Sequence, residues 1–133
     1  MGRDAINSPE YGVPIDGFSQ VILGRPGETT LYVSGLTSRT ADGTIVGVGN
    51  MASQARQVLE NMSNILRSAG ATLADVVQIR TYVTDITQWD SIEPIWRGYW
   101  GDVWPASTLV QIDRLFDQEQ MIEMEAIARI EAP

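Results

Sequence analysis

The sequence predicts an α+β domain in which two helices cover one face of a sheet. Three observations carry this expectation. The apolar period changes from two to about 3.6 at Asn50 and returns to two near Val76. The closing segment alternates, with Ile122, Met124, Ala126, Ala128 and Ile130 on one face and Glu123, Glu125, Ile127 and Arg129 on the other. A chain of 133 residues, 44% hydrophobic and 20% charged, fits a single domain over 1–133, and folding at that size buries roughly two-thirds of the extended chain's surface.

The elements follow in order. Residues 1–16 are an irregular lead-in, with Pro, Gly and Asn gathered in NSPEYGVPIDG. Strands are expected at Gly17–Leu23 and Thr30–Leu36, joined across Arg25-Pro26-Gly27, and Asp42-Gly43 signals a hairpin toward a third strand at Thr44–Val46. A helix then runs from Asn50 to a stop at Gly70. Its apolar stripe is Met51, Ala55, Val58, Leu59, Met62, Ile65, Leu66 and Ala69, and Gln54, Arg56, Gln57, Glu60, Asn61 and Arg67 form its solvated face.

Val76–Thr84 alternates as a strand, with Val77, Ile79, Thr81 and Val83 on one side and Gln78, Arg80 and Tyr82 on the other. A short helix is expected over Trp89–Trp100, capped by Thr87, with Pro94 in its first turn or at a kink. Trp89, Trp96 and Trp100 fall near helical spacing and read as helix-to-sheet packing. Strands Ser107–Asp113 and Gln120–Ile130 complete the chain. The second sheet face mixes carboxylates, Arg80, amides and apolar residues, which suits burial against other subunits.

Composition narrows the chemistry. The chain has no Cys and no His, and all nine of its basic residues are Arg. A thiolate nucleophile, an imidazole base, a Cys/His zinc site, a lysine Schiff base and a P-loop lysine are thereby excluded. What remains is carboxylates, Arg, hydroxyls, Trp, amides and backbone groups. No metal site is expected, because Asp85, Asp90, Asp102, Asp113 and Asp117 lack the spacing of a calcium loop.

The nine Arg are scattered from Arg3 to Arg129 in a chain of net charge −8, so nucleic acid is not an expected partner. No stretch approaches the ~18 apolar residues of a membrane span and the start has no apolar signal core. The expectation is a cytoplasmic protein without a membrane partner.

ASQARQVLENMSNILRSAGATLADVV, then RTYVTDI, then PASTLVQIDRLFDQEQMIEMEAIARI, resembles in order and spacing the Rid (reactive intermediate deaminase, YjgF-type) family. Gln54-Ala55-Arg56-Gln57, Asp85, Pro105-Ala106 and Glu123-Met124-Glu125-Ala126 carry the resemblance together. It implies a chorismate-mutase-like fold with a six-stranded mixed sheet backed by two helices. It further implies a homotrimer with a central barrel and small-molecule clefts between subunits. The implied activity is hydrolysis of enamine and imine metabolites, with no cofactor.

The resemblance also assigns residues. Glu123 matches the cleft carboxylate that positions or activates water, and Ser34 and Gly35 fall where backbone groups approach the ligand. Phe18 stands where the family often has a tyrosine. Ser107 stands where the family has the Arg that clamps a substrate carboxylate, so the usual imino-acid reaction loses its clamp. Arg80 is the candidate to replace it, because parity puts it on the same sheet face as Ser107 and Glu123; the competing reading is an ion pair with Glu123 or Glu125 inside the barrel. Trp104, next to Pro105, either shapes the pocket mouth or packs. The alternative reading is a metabolite-binding or sensing trimer that keeps the cleft without the chemistry.

Overall fold

A computed structural model describes residues 4–10, 18–101 and 104–132. Its strands are β1 (Ala5–Ile6), β2 (Val21–Ile22), β3 (Glu28–Leu36), β4 (Val76–Val83), β5 (Ala106–Gln111) and β6 (Ile122–Glu131). Its helices are α1 (Met51–Ser68) and α2 (Trp89–Trp100). The main sheet has the order β3-β6-β4-β5: β6 runs antiparallel to β3 and β4, and β4 is parallel to β5. Both helices pack on one face, as the periodicity requires.

The alternation of β6 places Ile122, Met124, Ala126 and Ala128 in the core. α1 supplies Met51, Ala55, Val58, Leu59, Met62 and Leu66 from the other side. Each fully buried side chain of this size contributes ~1.5–3 kcal/mol relative to exposure. Asn50 caps α1, its Oδ1 accepting from the Ser53 N–H at 3.0 Å, and Gly70 ends the helix at φ 79°.

α2 closes the core with Ile92, Trp96 and Trp100. The Trp89, Trp96 and Trp100 rings form a packed ladder with centroids 5.6 and 5.3 Å apart, which is the packing role their spacing predicts. Tyr99 on α2 donates to Glu60 Oε1 on α1 at 2.6 Å. Burial, and secondarily that bond, push its phenol up to about 12, so it stays a neutral donor.

Several expectations are corrected. Among the described residues the six strands form two sheets rather than one, because β1 and β2 pair only with each other. Gly17 lies outside the described residues. The expected first strand shrinks to Val21–Ile22 and a single bridge from Ser19 to Ala106. Thr44–Val46 forms no strand: the tight turn at Gly43 (φ 88°) leaves one bridge, Arg39 to Ile45. β5 starts at Ala106 and ends at Gln111, and β6 begins at Ile122. A register shift between Val76 and Gln78 gives the core position to Val76 instead of Val77.

The cap before α2 is Asp85, not Thr87. Its Oδ1 accepts from the Thr87 N–H (3.1 Å) and hydroxyl (2.6 Å) ahead of a 3-10 turn over Ile86–Gln88. Those bonds, the hydroxyl's first, lower the Asp85 pKa. Pro94 sits within α2 beyond its first turn and faces solvent, so the helix runs on past the missing donor. On α1, Ile65 and Ala69 leave the buried stripe and are exposed. Gln54, assigned to the solvated face, is wholly buried.

Candidate active site

The site begins with a break in strand pairing. Val33 pairs with Ala126 and Leu36 with Met124, so β3 advances three residues where β6 advances two. The extra residue falls in Ser34-Gly35, a β-bulge. Gly35 needs no unusual φ; it is glycine because the Glu123 carboxylate lies against it. A Cβ at position 35 would meet Glu123 Cδ at 2.9 Å, with the Oε2 atom closer still. Among the described residues Glu123 accepts no hydrogen bond and joins no ion pair. A half-buried carboxylate without an internal partner is available to water or a ligand.

Glu123 and Gly35 line a cleft of about 580 Å³ at the β3 edge, walled by α1 and by the segments 36–41 and 116–120. Its walls are held by side-chain amides. Gln57 Nε2 donates to Asn61 Oδ1 at 2.8 Å, and Asn61 Nδ2 donates to the carbonyls of Thr37 (2.9 Å) and Arg39 (2.8 Å). Gln120, nearly buried, donates to Thr37 Oγ1 at 3.1 Å and accepts from the Asp117 N–H at 3.2 Å. Behind the wall, Gln54 Nε2 donates to Glu119 O at 2.8 Å and Gln54 Oε1 accepts from the Met121 N–H at 2.8 Å. Phe116 is 89% exposed at the rim, a large apolar ring with no cover in the single chain.

The rim hairpin is locked. The buried Ser38 donates to Val46 O at 2.8 Å, and Asp42 accepts from the Thr40 hydroxyl (2.5 Å) and the Thr44 N–H (3.0 Å). The Thr40 bond first, then that of Thr44, holds the Asp42 carboxyl down at about 2. A carboxyl depressed on folding stabilises the fold above its ordinary pKa and loses that contribution as pH falls through its folded value. The Asp42 contribution to the turn is therefore present above the ordinary carboxylate range and is lost only as pH falls toward about 2.

The other residues assigned from the sequence lie elsewhere. Ser34 lines an adjoining groove of about 510 Å³ along the outer edge of β3, with Tyr32, Val33, Ile65 and Leu66. Phe18, Trp104 and Ser107 gather at the β5 end, where the Ser19 N–H donates to Pro105 O at 3.0 Å and the Ser19 hydroxyl to Trp104 O at 2.6 Å. Trp104 packs under Arg97, whose Cζ is 5.7 Å from the ring centroid, and its buried Nε1 has no hydrogen-bond partner among the described residues. Glu123 stands on β6, two strand spacings (~10 Å) from β5, and Ser107 falls on the opposite sheet face. A small molecule in the Glu123 cleft does not reach Ser107 of the same chain.

Arg80 shares a sheet face with Glu123, as expected, but not with Ser107. It stands level with Thr108 and Glu125, whereas Ser107 stands level with Ile79, a core residue on the opposite face. Arg80 Nη1 lies 4.0 Å from Glu125 Oε1, and Tyr82 donates its hydroxyl to the same oxygen. That bond to Glu125, ahead of burial, raises the Tyr82 pKa. With the Arg80 side chain about half exposed, the ion pair adds little stability.

Sequence reasoning missed Arg39, Asn61, Phe116 and Gln120. Asn61 and Gln120 had no visible role, because the bonds that tie them to the cleft wall reach Thr37 and Arg39, distant in sequence from both. The one usable signal was the loss of alternation at Ser34-Gly35, which marks a bulge. Among the described residues no three Asp or Glu side chains group as a metal site.

The sequence and the fold both have known relatives. The family model described as Endoribonuclease L-PSP matches residues 9–130. A RutC family protein of Pyrococcus abyssi is 32% identical over 96% of this chain and 98% of its own. The human 2-iminobutanoate/2-iminopropanoate deaminase is 29% identical over 95% of this chain and 89% of its own. A crystal structure of the Rid family protein YyfB of Yersinia pestis, described there as of unknown function, superposes with a TM-score of 0.87 and 36% identity, covering 98% of this chain and all of that one. The chain belongs to the Rid/YjgF family, whose family model is described as Endoribonuclease L-PSP.

Proposed function

We propose that this protein is an imine and enamine hydrolase whose clefts are completed between the subunits of a homotrimer. The observation that carries the reading is Glu123: a carboxylate without an internal partner, seated on Gly35 in a cleft at one end of the sheet. Of the other assigned residues, Phe18, Trp104 and Ser107 lie at the β5 edge. In a cyclic assembly the β5 end of one subunit meets the β3 end of the next, and the two half-sites become one. The exposed Phe116, Tyr32 and Ile65 then gain cover. The mixed sheet face turns inward as a barrel.

The reaction needs only water and proton transfer. Glu123 takes a proton from water as its oxygen adds to the C=N carbon, and that proton passes to nitrogen. The carbinolamine then collapses to a carbonyl compound and ammonia. The deaminase activity named for the human relative is of this type. An RNA-cleaving role fits poorly, since the chain has no His and a net charge of −8 that assembly multiplies.

The test generates 2-iminopropanoate and 2-iminobutanoate in situ with an amino-acid oxidase and follows ammonia release. Catalysis above the buffer rate is expected, with no hydrolysis of an RNA oligomer. Imine decay at the buffer rate would sink the reading. Sedimentation equilibrium should return three times the chain mass at micromolar concentration; a monomer would remove the composite cleft. Gly35→Ala drives the Glu123 carboxylate off its seat, and kcat is expected to fall about tenfold with little change in melting temperature. Unchanged kcat would mean that the carboxylate's position is unimportant.

A further inference from the structure

Arg39 is the single cationic side chain lining the Glu123 cleft among the described residues. Its guanidinium makes no hydrogen bond or ion pair to any of them. The nearby acid of its own hairpin, Asp42, is already engaged by Thr40 and Thr44. The backbone at Arg39 is fixed from two sides, by the Asn61 bond to its carbonyl at 2.8 Å and by the bridge to Ile45. The side chain thus rises from a rigid rim, and only its own rotamers remain to be ordered.

In a protein of net charge −8, an anionic ligand is drawn to a site only by local positive charge. The cleft supplies one such charge, Arg39, and one negative charge, Glu123. We propose that Arg39 is the substrate-binding residue that takes the carboxylate of the ligand, by a charge-assisted pair of hydrogen bonds within the subunit that holds Glu123. Arg80 shares the sheet face of Glu123 but pairs with Glu125 and does not line the cleft, and Ser107 carries no charge. The ligand lies with its carboxylate at the 38–46 hairpin, its reacting carbon toward Glu123 and its apolar part against Phe116 and Ile65. This assignment rests on the hydrolase reading for its kinetics but not for its binding.

The experiment compares the intact protein with Arg39→Gln, Arg39→Lys and, as a control on the exposed side of α1, Arg56→Gln. Calorimetric titration uses 2-oxobutanoate, a carboxylate that cannot be hydrolysed, and its uncharged analogue 1-hydroxy-2-butanone. Arg39→Gln is expected to weaken 2-oxobutanoate binding roughly 10- to 100-fold. Arg39→Lys should restore part of the affinity, while Arg56→Gln and binding of the uncharged analogue stay unchanged. With 2-iminobutanoate the loss should appear in KM more than in kcat.

Equal 2-oxobutanoate affinity in the intact protein and Arg39→Gln would overturn the assignment, as would no saturable binding by the intact protein. Hydrolysis with an unchanged KM in Arg39→Gln would overturn it and leave the hydrolase reading standing. Arg39-dependent carboxylate binding without any imine turnover would do the reverse.

Discussion

Replacing Glu123 with Gln is expected to lower kcat for 2-iminobutanoate hydrolysis by roughly 10²- to 10⁴-fold, the usual contribution of a positioned general base. Gln keeps the size and the hydrogen-bonding reach of the side chain but cannot take a proton from water. The fold should not notice the change, because Glu123 makes no hydrogen bond to any described residue and its seat against Gly35 admits the isosteric amide. Ammonia release under saturating substrate reads kcat, and thermal denaturation of the same sample reads stability. A variant that keeps more than half the activity would show that water is activated elsewhere in the cleft.

The second large effect falls on stability. Gln54→Leu keeps the side-chain volume but removes three polar contacts: donation to Glu119 O and, at 3.3 Å, to Gly47 O, and acceptance from the Met121 N–H. Gln54 is wholly buried, so Glu119 O and the Met121 N–H lose their internal partner, whereas Gly47 O keeps the Asn50 N–H. Each stranded group costs ~1–3 kcal/mol. A total loss of ~3 kcal/mol corresponds to a fall in Tm of ~10 °C for a domain of this size. Calorimetry measures it. A fall of under ~2 °C would mean that Gln54 is dispensable as a tie between α1 and the segment entering β6.

Gln54 also shows what the sequence conceals. The α1 stripe was legible because apolar spacing alone decides which face is buried, and the same logic located β6 and the Trp ladder of α2. A glutamine beside that stripe gives no such signal. Its burial depends on two carbonyls and one N–H that reach it only after the chain folds. Arg39 was unreadable for a related reason: nothing in its neighbourhood in sequence separates a lone cleft cation from any other surface arginine.

The candidate site was legible in halves. Glu123 and Gly35 were assigned together from the family motifs, and the geometry puts them in contact. Simple alternation failed for Arg80 and Ser107, because each strand's parity holds only within that strand. The β4–β5 register sets Ser107 beside Ile79, not beside Arg80. The strand order leaves Phe18, Trp104 and Ser107 at the β5 edge, two strands away from the carboxylate on β6. That separation is the physical basis for the proposal of a site shared between subunits.

Complementation between subunits tests that claim most directly. Glu123→Gln disables the β3 half of the proposed site, and Ser107→Asp disables the β5 half by setting a negative charge against an anionic substrate. Each variant alone should be nearly inactive. When the two are co-expressed in equal amounts and assemble at random, about one subunit junction in four joins an intact β3 end to an intact β5 end. The account predicts recovery of about a quarter of wild-type activity in the co-expressed population as a whole. Mixed trimers no more active than their parents would contradict it and place the whole site within a single chain.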